Sequence, residues 1–116
     1  MKIWVDGSGD LFEDNGRIAV VFENGKEIVK RIGGATNNEA EYLALIEALK
    51  YCKGKEEIFT DSQLLCGHLN MNWKVKAENL MVYYLTSLRL LKEKKVKLKW
   101  IPRSKNKAGI LLDKLR

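Results

Sequence analysis

The 116-residue sequence has only one proline, two cysteines and one histidine. Cys52 and Cys66 follow no metal-ligand spacing, which favours buried free thiols over a disulfide or a zinc site. No apolar run reaches the roughly 18 residues of a membrane-spanning helix, and no signal peptide follows the first methionine. We therefore expect a cytoplasmic protein that does not contact a membrane.

The chain is long enough for one domain with a core and too short for two, so a single domain over residues 1–116 is expected. Its net charge of +6 is unevenly spread, because residues 89–116 hold eleven Lys/Arg against two acidic residues. This distribution favours a polyanion-binding edge beside an acidic centre, although a solvated lysine-rich surface is the alternative. Nothing in the sequence calls for more than a monomer or for an obligate protein partner.

Hydrophobic periodicity predicts an α/β protein with the order β-β-β-α-β-α-α-β-α. Asn24-Gly25 marks a hairpin, so the first strands form an antiparallel meander. Crossover helices then make the later strands parallel, which gives a mixed sheet in a three-layer fold. The predicted strands are 2–6, 17–23, 26–32, 57–60 and 96–101, and the predicted helices are 38–51, 62–69, 77–94 and 106 or 107 to the end of the chain.

Three carboxylates stand where predicted elements begin or end. Asp6 ends the first strand, Asp61 ends the fourth, and Glu41 lies near the start of the first helix, in its apolar sector. Neighbouring strands lie about 5 Å apart, so Asp6 and Asp61 could share one ion, with Glu41 reaching the same point. Hard divalent cations prefer several oxygen ligands. Without a cation the three groups would repel, and at least one pKa would rise.

Each carboxylate also has a purely local explanation. Asp6 could form a turn, and Asp61 could cap the helix that follows it. Glu41 could close a capping box with Asn38, although a rival box beginning at Thr36 would leave Glu41 free. The occurrence of all three at element ends in one small chain favours a shared site.

Four short blocks, in order along almost the whole chain, carry a family resemblance. They are Val5-Asp6-Gly7-Ser8-Gly9, Thr36-Asn37-Asn38 with Glu41-Tyr42, Thr60-Asp61-Ser62-Gln63-Leu64, and Trp100-Ile101-Pro102-Arg103 with Asn106. Together they resemble the signature of type 1 ribonuclease H, and the stretch from Leu69 to Leu80 is similar to its compact archaeal and bacterial branch. The Thr-Asn-Asn-x-x-Glu block is fairly specific, whereas the shorter blocks gain weight only as an ordered set.

The resemblance implies a ribonuclease H-like fold, a five-stranded mixed sheet in the order 3-2-1-4-5 flanked by helices. It also implies an endonuclease that hydrolyses the RNA strand of RNA/DNA hybrids with two Mg²⁺ or Mn²⁺ ions, leaving 5′-phosphate and 3′-hydroxyl ends. Of the four acidic ligands that the family uses, Asp6, Glu41 and Asp61 match. The fourth would fall on Ile110, so Asp113, one helical turn further on, is the expected substitute, or else a surface residue.

Substrate contacts are expected around these acids. Telling RNA from DNA requires reading 2′-hydroxyl groups in a shallow minor groove, which suits the amides of Asn37 and Asn38, unless they only cap the helix. Basic side chains would attract phosphates without reading sequence. The single histidine, His68, is expected to be a structural or a surface residue. The expected substrate-binding set is Gly7, Ser8, Asn37, Asn38, Ser62, Trp73, Lys74, Lys76, Arg103 and Asn106.

Ile110 at the fourth position leaves rival functions open. The chain could be a hybrid- or RNA-binding module that has lost catalysis. It could be a related nuclease acting on double-stranded RNA or on DNA junctions. A metal-free structural protein is the third alternative.

Overall fold

The computed structural model describes residues 1–115, with the elements in the predicted order. A short 3-10 turn at Arg103–Lys105, which the sequence pattern did not predict, precedes the last helix. Residue 116, to which that helix was expected to extend, lies outside the described residues. The strands are β1 (Lys2–Ser8), β2 (Gly16–Phe22), β3 (Glu27–Gly33), β4 (Glu57–Thr60) and β5 (Lys97–Trp100), and the helices are α1 (Asn37–Leu49), α2 (Gln63–Asn70), α3 (Glu78–Lys94) and α4 (Lys107–Lys114).

The five strands form one mixed sheet in the order β3-β2-β1-β4-β5, which confirms the predicted topology. β1 pairs antiparallel with β2, and β2 with β3, whereas β1–β4 and β4–β5 are parallel. β1 runs two residues past its predicted end, because Gly7 pairs with Ile18 and Ser8 with Arg17. The glycine and serine suggested a loop, but the hairpin partner keeps them in the sheet.

Helices cover both faces of the sheet, and each face has its own apolar core. The larger core contains Ile3 and Val5 from β1 together with side chains from α1, α2 and α3. The smaller one joins β2 to α4, and Trp4 packs against it. Alternate residues of β1 therefore face opposite layers, as the period of two in a strand requires.

Local signals fix where the helices begin and end. Thr36 and Glu39 form a reciprocal capping box at the start of α1, which satisfies two backbone N–H groups that the helix itself cannot use. α3 ends at Lys95, whose φ of 57° lies in the left-handed region that commonly terminates helices. These local helix caps explain why the predicted helix boundaries agree with the structure to within about two residues.

Cys52 and Cys66 are both buried and unbonded to each other, in agreement with the free-thiol interpretation. Burial raises the pKa of each thiol to about 11, so both stay protonated at neutral pH. Among residues 1–115, none of the helices has the length and apolar character needed to cross a bilayer.

Candidate active site

The site lies where β1 and β4 diverge. Their last paired residues are Trp4 and Phe59, whose rings stack 5.7 Å apart. Asp6 and Asp61 each stand two residues further along, and a strand repeats its side-chain direction every two residues. Their carboxylates are therefore delivered to the same end of the sheet, on the face that α4 covers.

Glu41 reaches the same point from the opposite layer because β1 contains a glycine. A Cβ added at Gly7 would lie 2.3 Å from the carbonyl of Ala40, a distance that no real contact tolerates. The absence of a side chain lets the first turn of α1 cross directly over the strand. The capping box at Thr36 leaves the Glu41 side chain free to turn inward.

Asp6, Glu41 and Asp61 form a tight acidic cluster. One carboxylate oxygen from each lies within 4.8 Å of the others. Burial, reinforced by the charge of Asp61, raises the pKa of Asp6 to about 6. Burial also raises the pKa of Glu41 to about 7, even though a hydrogen bond from Ser62 favours its charged form. The cluster thus carries more negative charge than its surroundings neutralise.

One cation of the chain, Arg103, enters the cluster. Its Nη1 lies 3.1 Å from Asp61 Oδ2 and 3.6 Å from Asp6 Oδ1, and its Nη2 lies 3.2 Å from Asp113 Oδ1. Partial burial acts to lower the pKa of Arg103, but the surrounding carboxylates raise it above its usual value. The sequence shows no cation beside any of the three acids, whereas the fold brings one from about 40 residues beyond Asp61.

The donor set fits a hard divalent cation. It consists of carboxylate oxygens from three separate elements, partly withdrawn from water and converging within one ion's reach. Burial, together with the neighbouring carboxylates, raises the pKa values of Asp6 and Glu41 and so disfavours their charged forms. A bound Mg²⁺ or Mn²⁺ would favour the charged forms, with Asp6, Glu41 and Asp61 as its protein ligands.

The fourth acidic position is occupied differently. Ile110 is 41% exposed, and the residue of α4 that faces the cluster is Gly109, where an added Cβ would lie 3.5 Å from Asp6 Oδ2. Asp113, one turn further on, is about half exposed and contacts the guanidinium of Arg103. Asp113 is thus joined to the site through Arg103 and is not one of the three carboxylates that lie within 4.8 Å of each other.

Four of the predicted substrate-binding residues line one groove. A cavity of about 560 Å³ is bordered by Asn38, Trp73, Lys74 and Lys76. Asn37 is also exposed, and its Oδ1 accepts a hydrogen bond of 2.8 Å from the N–H of Gly9. The structure therefore brings Asn38 at the start of α1, the Trp73 ring and the two lysines to one groove.

Other predicted substrate-binding residues hold structural positions. Asn106 is fully buried. Its Nδ2 donates a hydrogen bond to the Val5 carbonyl, and its Oδ1 caps the start of α4. This burial argues against the substrate contact expected for Asn106, which instead ties α4 to β1. Ser62 is the cap of α2, and Gly7 provides room for α1. Ser8 closes β1, beside the turn that leads to β2.

His68 lies in the interior, which agrees with the structural alternative and not with a surface position. It is 4% exposed, and its Nδ1 forms a hydrogen bond of 2.7 Å with the Tyr42 hydroxyl. Its ring also packs edge-on against Tyr84. Burial lowers the pKa of His68, so its neutral form is favoured.

Two contributors to the site were not found by sequence reasoning. Gly109 is the residue of α4 that borders Asp6 and Arg103, where an added Cβ would make ordinary contacts at 3.5 and 3.6 Å. Trp100 donates from Nε1 to the Asp61 carbonyl oxygen over 3.2 Å. A signal for Trp100 existed, since it ends a strand next to the one that carries Asp61. Gly109 had none, because a lone glycine in a short helix usually marks only weak helix propensity.

Comparisons with known proteins agree with this architecture. The sequence model of the RNase H family matches residues 1–110. Over 85 residues the chain is 33% identical to bifunctional protein Rv2228c of Mycobacterium tuberculosis, a match that covers 69% of this chain and 23% of that protein. The chain therefore spans about a quarter of the length of that curated relative.

Two solved structures show the same fold at similar identity. RNase H1 from the halophilic archaeon Halobacterium salinarum NRC-1 gives a TM-score of 0.78 at 27% identity, covering 96% of this chain and 92% of that one. LC11-RNase H1, solved in complex with an RNA/DNA hybrid, gives 0.75 at 29% identity, covering 91% and 88%. The family match includes all three clustered acids, and the strand order β3-β2-β1-β4-β5 agrees with it. The chain therefore belongs to the RNase H family, as a type 1 member.

Proposed function

We propose that this protein is an endonuclease that hydrolyses the RNA strand of RNA/DNA hybrids with the help of divalent cations. The observation that carries the proposal is the convergence of Asp6, Glu41 and Asp61 within 4.8 Å at the end of the sheet. A similar structure, that of LC11-RNase H1, was solved with an RNA/DNA hybrid bound, which supports the same substrate class here.

Two Mg²⁺ or Mn²⁺ ions are proposed as cofactors, with the three clustered carboxylates as ligands. Bound cations would supply the Lewis acidity that activates water and stabilises charge on the leaving oxygen during phosphodiester hydrolysis. The chain's own contribution is to hold the carboxylates in place: the strands fix Asp6 and Asp61, and Ser62 orients Glu41 by a hydrogen bond. The proposed products carry 5′-phosphate and 3′-hydroxyl ends.

Recognition of the hybrid would use the groove lined by Asn38, Trp73, Lys74 and Lys76. Lys74 and Lys76 are exposed and suit phosphates, while Asn38 presents an amide about one helical turn before Glu41 on α1. Phosphate attraction by lysines is independent of sequence and weakens with salt, so we propose binding without base-specific contacts.

Arg103 would have two tasks in this scheme. Its guanidinium partly neutralises Asp6 and Asp61, which keeps these like charges together in the cation-free protein. Half of its side chain is exposed, so it can also contact a phosphate. Cation binding has to compete with Arg103 for the Asp61 carboxylate.

A second candidate function is a hybrid-binding module that cleaves poorly or not at all. The observation that favours it is the acidic set itself, which has three close carboxylates and an arginine, with Ile110 where the resemblance places a fourth acid. Such a protein would bind a hybrid tightly in Mn²⁺ and leave it intact.

The test is a substrate panel with a matched variant. A labelled RNA/DNA hybrid, double-stranded RNA, single-stranded RNA and double-stranded DNA are each incubated with wild type and with Asp61→Asn in Mg²⁺ or Mn²⁺. The proposal predicts that wild type cuts the RNA of the hybrid and that the variant, prepared in the same way, does not. Equal cleavage by both would assign the activity to a contaminant or to another site.

The panel also separates the alternatives. Binding of the hybrid without cleavage would support the module, and faster cleavage of double-stranded RNA would point to a related nuclease. End analysis of the products with a phosphatase and a ligase tests the proposed 5′-phosphate and 3′-hydroxyl.

A further inference from the structure

Helix α3 carries an uncovered apolar stripe on its outer side. Met81, Val82 and Leu85 are 39%, 70% and 55% exposed, and Leu88 is partly exposed. Spacings of three and four residues place these four side chains on one face of the helix. Large apolar side chains that cluster in this way on a surface mark an interaction site, whereas single scattered ones do not.

The opposite face of α3 belongs to the larger core. Leu80, Ser87 and Leu91 are buried on that face, and α3 packs there against α1. The core contact therefore does not account for the apolar side chains of the outer stripe. Within residues 1–115, the exposure of Met81, Val82 and Leu85 shows that no other segment covers them.

Charges of opposite sign stand at the two ends of the stripe. Glu78 precedes Leu85 by seven residues and Lys92 follows it by seven, and both are exposed. Seven residues are close to two full turns, so both charges lie on the face that carries Leu85. The ion pairs formed within residues 1–115 use neither of them, whereas Arg89 is paired with Glu93 at 3.3 Å.

A stripe with an acid at one end and a base at the other is complementary to its own copy in reverse. We propose that a second copy of this chain docks on the stripe, with the two α3 helices antiparallel about a two-fold axis at Leu85. In a two-fold interface each contact occurs twice. Residues at equal distances before and after Leu85 then face each other, so Val82 of each copy meets Leu88 of the other.

The charges select the antiparallel direction. Antiparallel pairing sets Glu78 of each copy against Lys92 of the other, which gives one ion pair at each end of the interface. Parallel pairing would set Glu78 against Glu78 and Lys92 against Lys92, and like charges across an interface are unfavourable. Met81 would meet Arg89, whose methylene groups can cover an apolar side chain while the guanidinium keeps its bond to Glu93.

The contact is small, so the dimer is expected to be reversible. From Glu78 to Lys92 the stripe is about 21 Å long, at about 1.5 Å per residue. An interface made by one helix pair belongs to the weak class, with a dissociation constant on the order of micromolar. Ala77 and Leu80, at the start of α3, border the groove that contains Lys74. Reversed helices would place the two grooves at opposite ends of the dimer, which leaves both open.

The experiment is sedimentation equilibrium of the intact chain without nucleic acid, at about 0.15 M salt, over concentrations from about 1 μM to about 300 μM. The mass of wild type should rise with concentration from 13.3 kDa towards twice that value. Leu85→Glu places two carboxylates face to face at the axis and should weaken association by at least about 100-fold.

A matched control tests whether any exposed apolar side chain would do. Phe12 is 98% exposed and lies in the loop between β1 and β2. Phe12→Glu therefore makes the same kind of change away from α3 and should dimerise as wild type does. Circular dichroism of both variants checks that α3 and the rest of the fold are intact.

Charge reversal tests the direction of the helices. Glu78→Lys and Lys92→Glu each replace two attractive pairs by two repulsive ones, so each should weaken the dimer by about 5-fold to about 50-fold. The double variant restores opposite charges at both ends and should return to within about 3-fold of wild type.

Four results would overturn the inference. Wild type could stay at 13.3 kDa at every concentration, or Phe12→Glu could weaken the dimer as much as Leu85→Glu. The single reversals could leave the affinity unchanged, or the double variant could be no tighter than the single ones. Failure of the proposed nuclease function is a separate result, because this measurement contains neither hybrid nor divalent cation.

Discussion

Helix α1 carries two inward-facing glutamates, six residues apart, in opposite electrostatic settings. Glu47 is 4% exposed and forms ion pairs with Lys30 at 2.8 Å and Lys50 at 3.1 Å. Burial works against its ionisation, but the two lysines hold the pKa of Glu47 below its usual value. Glu41 meets two further carboxylates instead, and burial raises its pKa to about 7.

The difference is between a carboxylate that the fold pairs with lysines and one that the fold places among other carboxylates. Folding brings Lys30 and Lys50 to Glu47, and these two lysines neutralise its charge. The cluster around Glu41 has Arg103 as its one ion-pairing partner among residues 1–115, and that arginine is shared with Asp113. A cation from solution is therefore the natural complement of the cluster, and none is needed at Glu47.

Neutralising each glutamate in turn tests most strongly whether Glu41 and Glu47 differ in their importance for cleavage. Glu41→Gln should lower the rate of hybrid cleavage by at least about 100-fold, more than the loss of an outer-shell partner costs. Glu47→Gln removes the same charge from the same helix and should leave the rate of hybrid cleavage within about 2-fold. The expected reason is that this substitution changes the stability of the fold by only about 1 kcal/mol and does not alter the acidic cluster. Initial rates with a labelled hybrid in Mg²⁺ measure both. Similar losses in the two variants would contradict the division.

Divalent cations should stabilise only proteins with an intact cluster. At a hundred times its dissociation constant, Mn²⁺ would add about 2.7 kcal/mol to the free energy of unfolding, and thermal unfolding would shift upwards by several degrees. The same shift is expected for Glu47→Gln and not for Glu41→Gln. A shift that survives in Glu41→Gln would place the bound cation elsewhere.

The two glutamates should also give opposite pH dependences. The folded pKa values of Asp6 and Glu41, about 6 and about 7, lie above the values of 3.8 and 4.5 expected for the unfolded chain. At a pH between the unfolded and folded pKa values, the folded protein binds more protons than the unfolded chain does. The free energy of unfolding therefore falls as pH rises from about 4.5 to about 7. At about 1.4 kcal/mol for each unit by which a pKa is raised, the two groups together predict a loss of several kcal/mol in EDTA, measured by urea unfolding.

Variants assign this pH slope. Glu41→Gln should flatten the slope between about pH 6 and 7, whereas Asp6 retains part of it at lower pH. Glu47 has a lowered pKa, so its stabilisation is present above about pH 4.5 and is lost in more acidic solution. Glu47→Gln should therefore keep the slope near neutrality and change only the acidic limb. An unchanged slope in Glu41→Gln would contradict the assignment.

Removing the ion pairs of Glu47 should have a modest effect on stability. The carboxylate is buried but both lysines are largely exposed, so solvent screens the attraction. We expect Glu47→Gln to lower the free energy of unfolding by about 1 kcal/mol, measured at pH 7 in EDTA. A gain in stability would mean that desolvation of the Glu47 carboxylate outweighs its attraction to Lys30 and Lys50.

The smallest effect is expected at Asp113, which is exposed and contacts the site through Arg103. Asp113→Asn should reduce cleavage by no more than about 5-fold, the value of an exposed ion pair. The same assay as for Glu41→Gln measures it. A loss as large as that of Glu41→Gln would restore Asp113 as a fourth metal ligand.

Much of the fold was predictable from the sequence because its signals are local. The Asn24-Gly25 hairpin gave the antiparallel start of the sheet, and the apolar stripe of α1 gave the inward direction of Glu41. The clustering of the three acids followed from their places at element ends. These inferences depend only on periodicities that a few neighbouring residues set.

The remaining features depend on contacts between distant segments. Arg103 reaches Asp61 across about 40 residues of sequence, by way of a 3-10 turn that has no clear sequence signal. Asn106 was expected to contact substrate, but its polar atoms are used by Val5 and by the first turn of α4. Such pairings are decided by tertiary packing, which composition and spacing do not encode locally.

The most direct test of the acidic cluster as a cation site is a crystal soaked in Mn²⁺ and measured for anomalous scattering. The account predicts an anomalous peak in contact with the carboxylates of Asp6, Glu41 and Asp61, and none at Glu47. A cluster without a peak, at a Mn²⁺ concentration that supports hybrid cleavage, would contradict it.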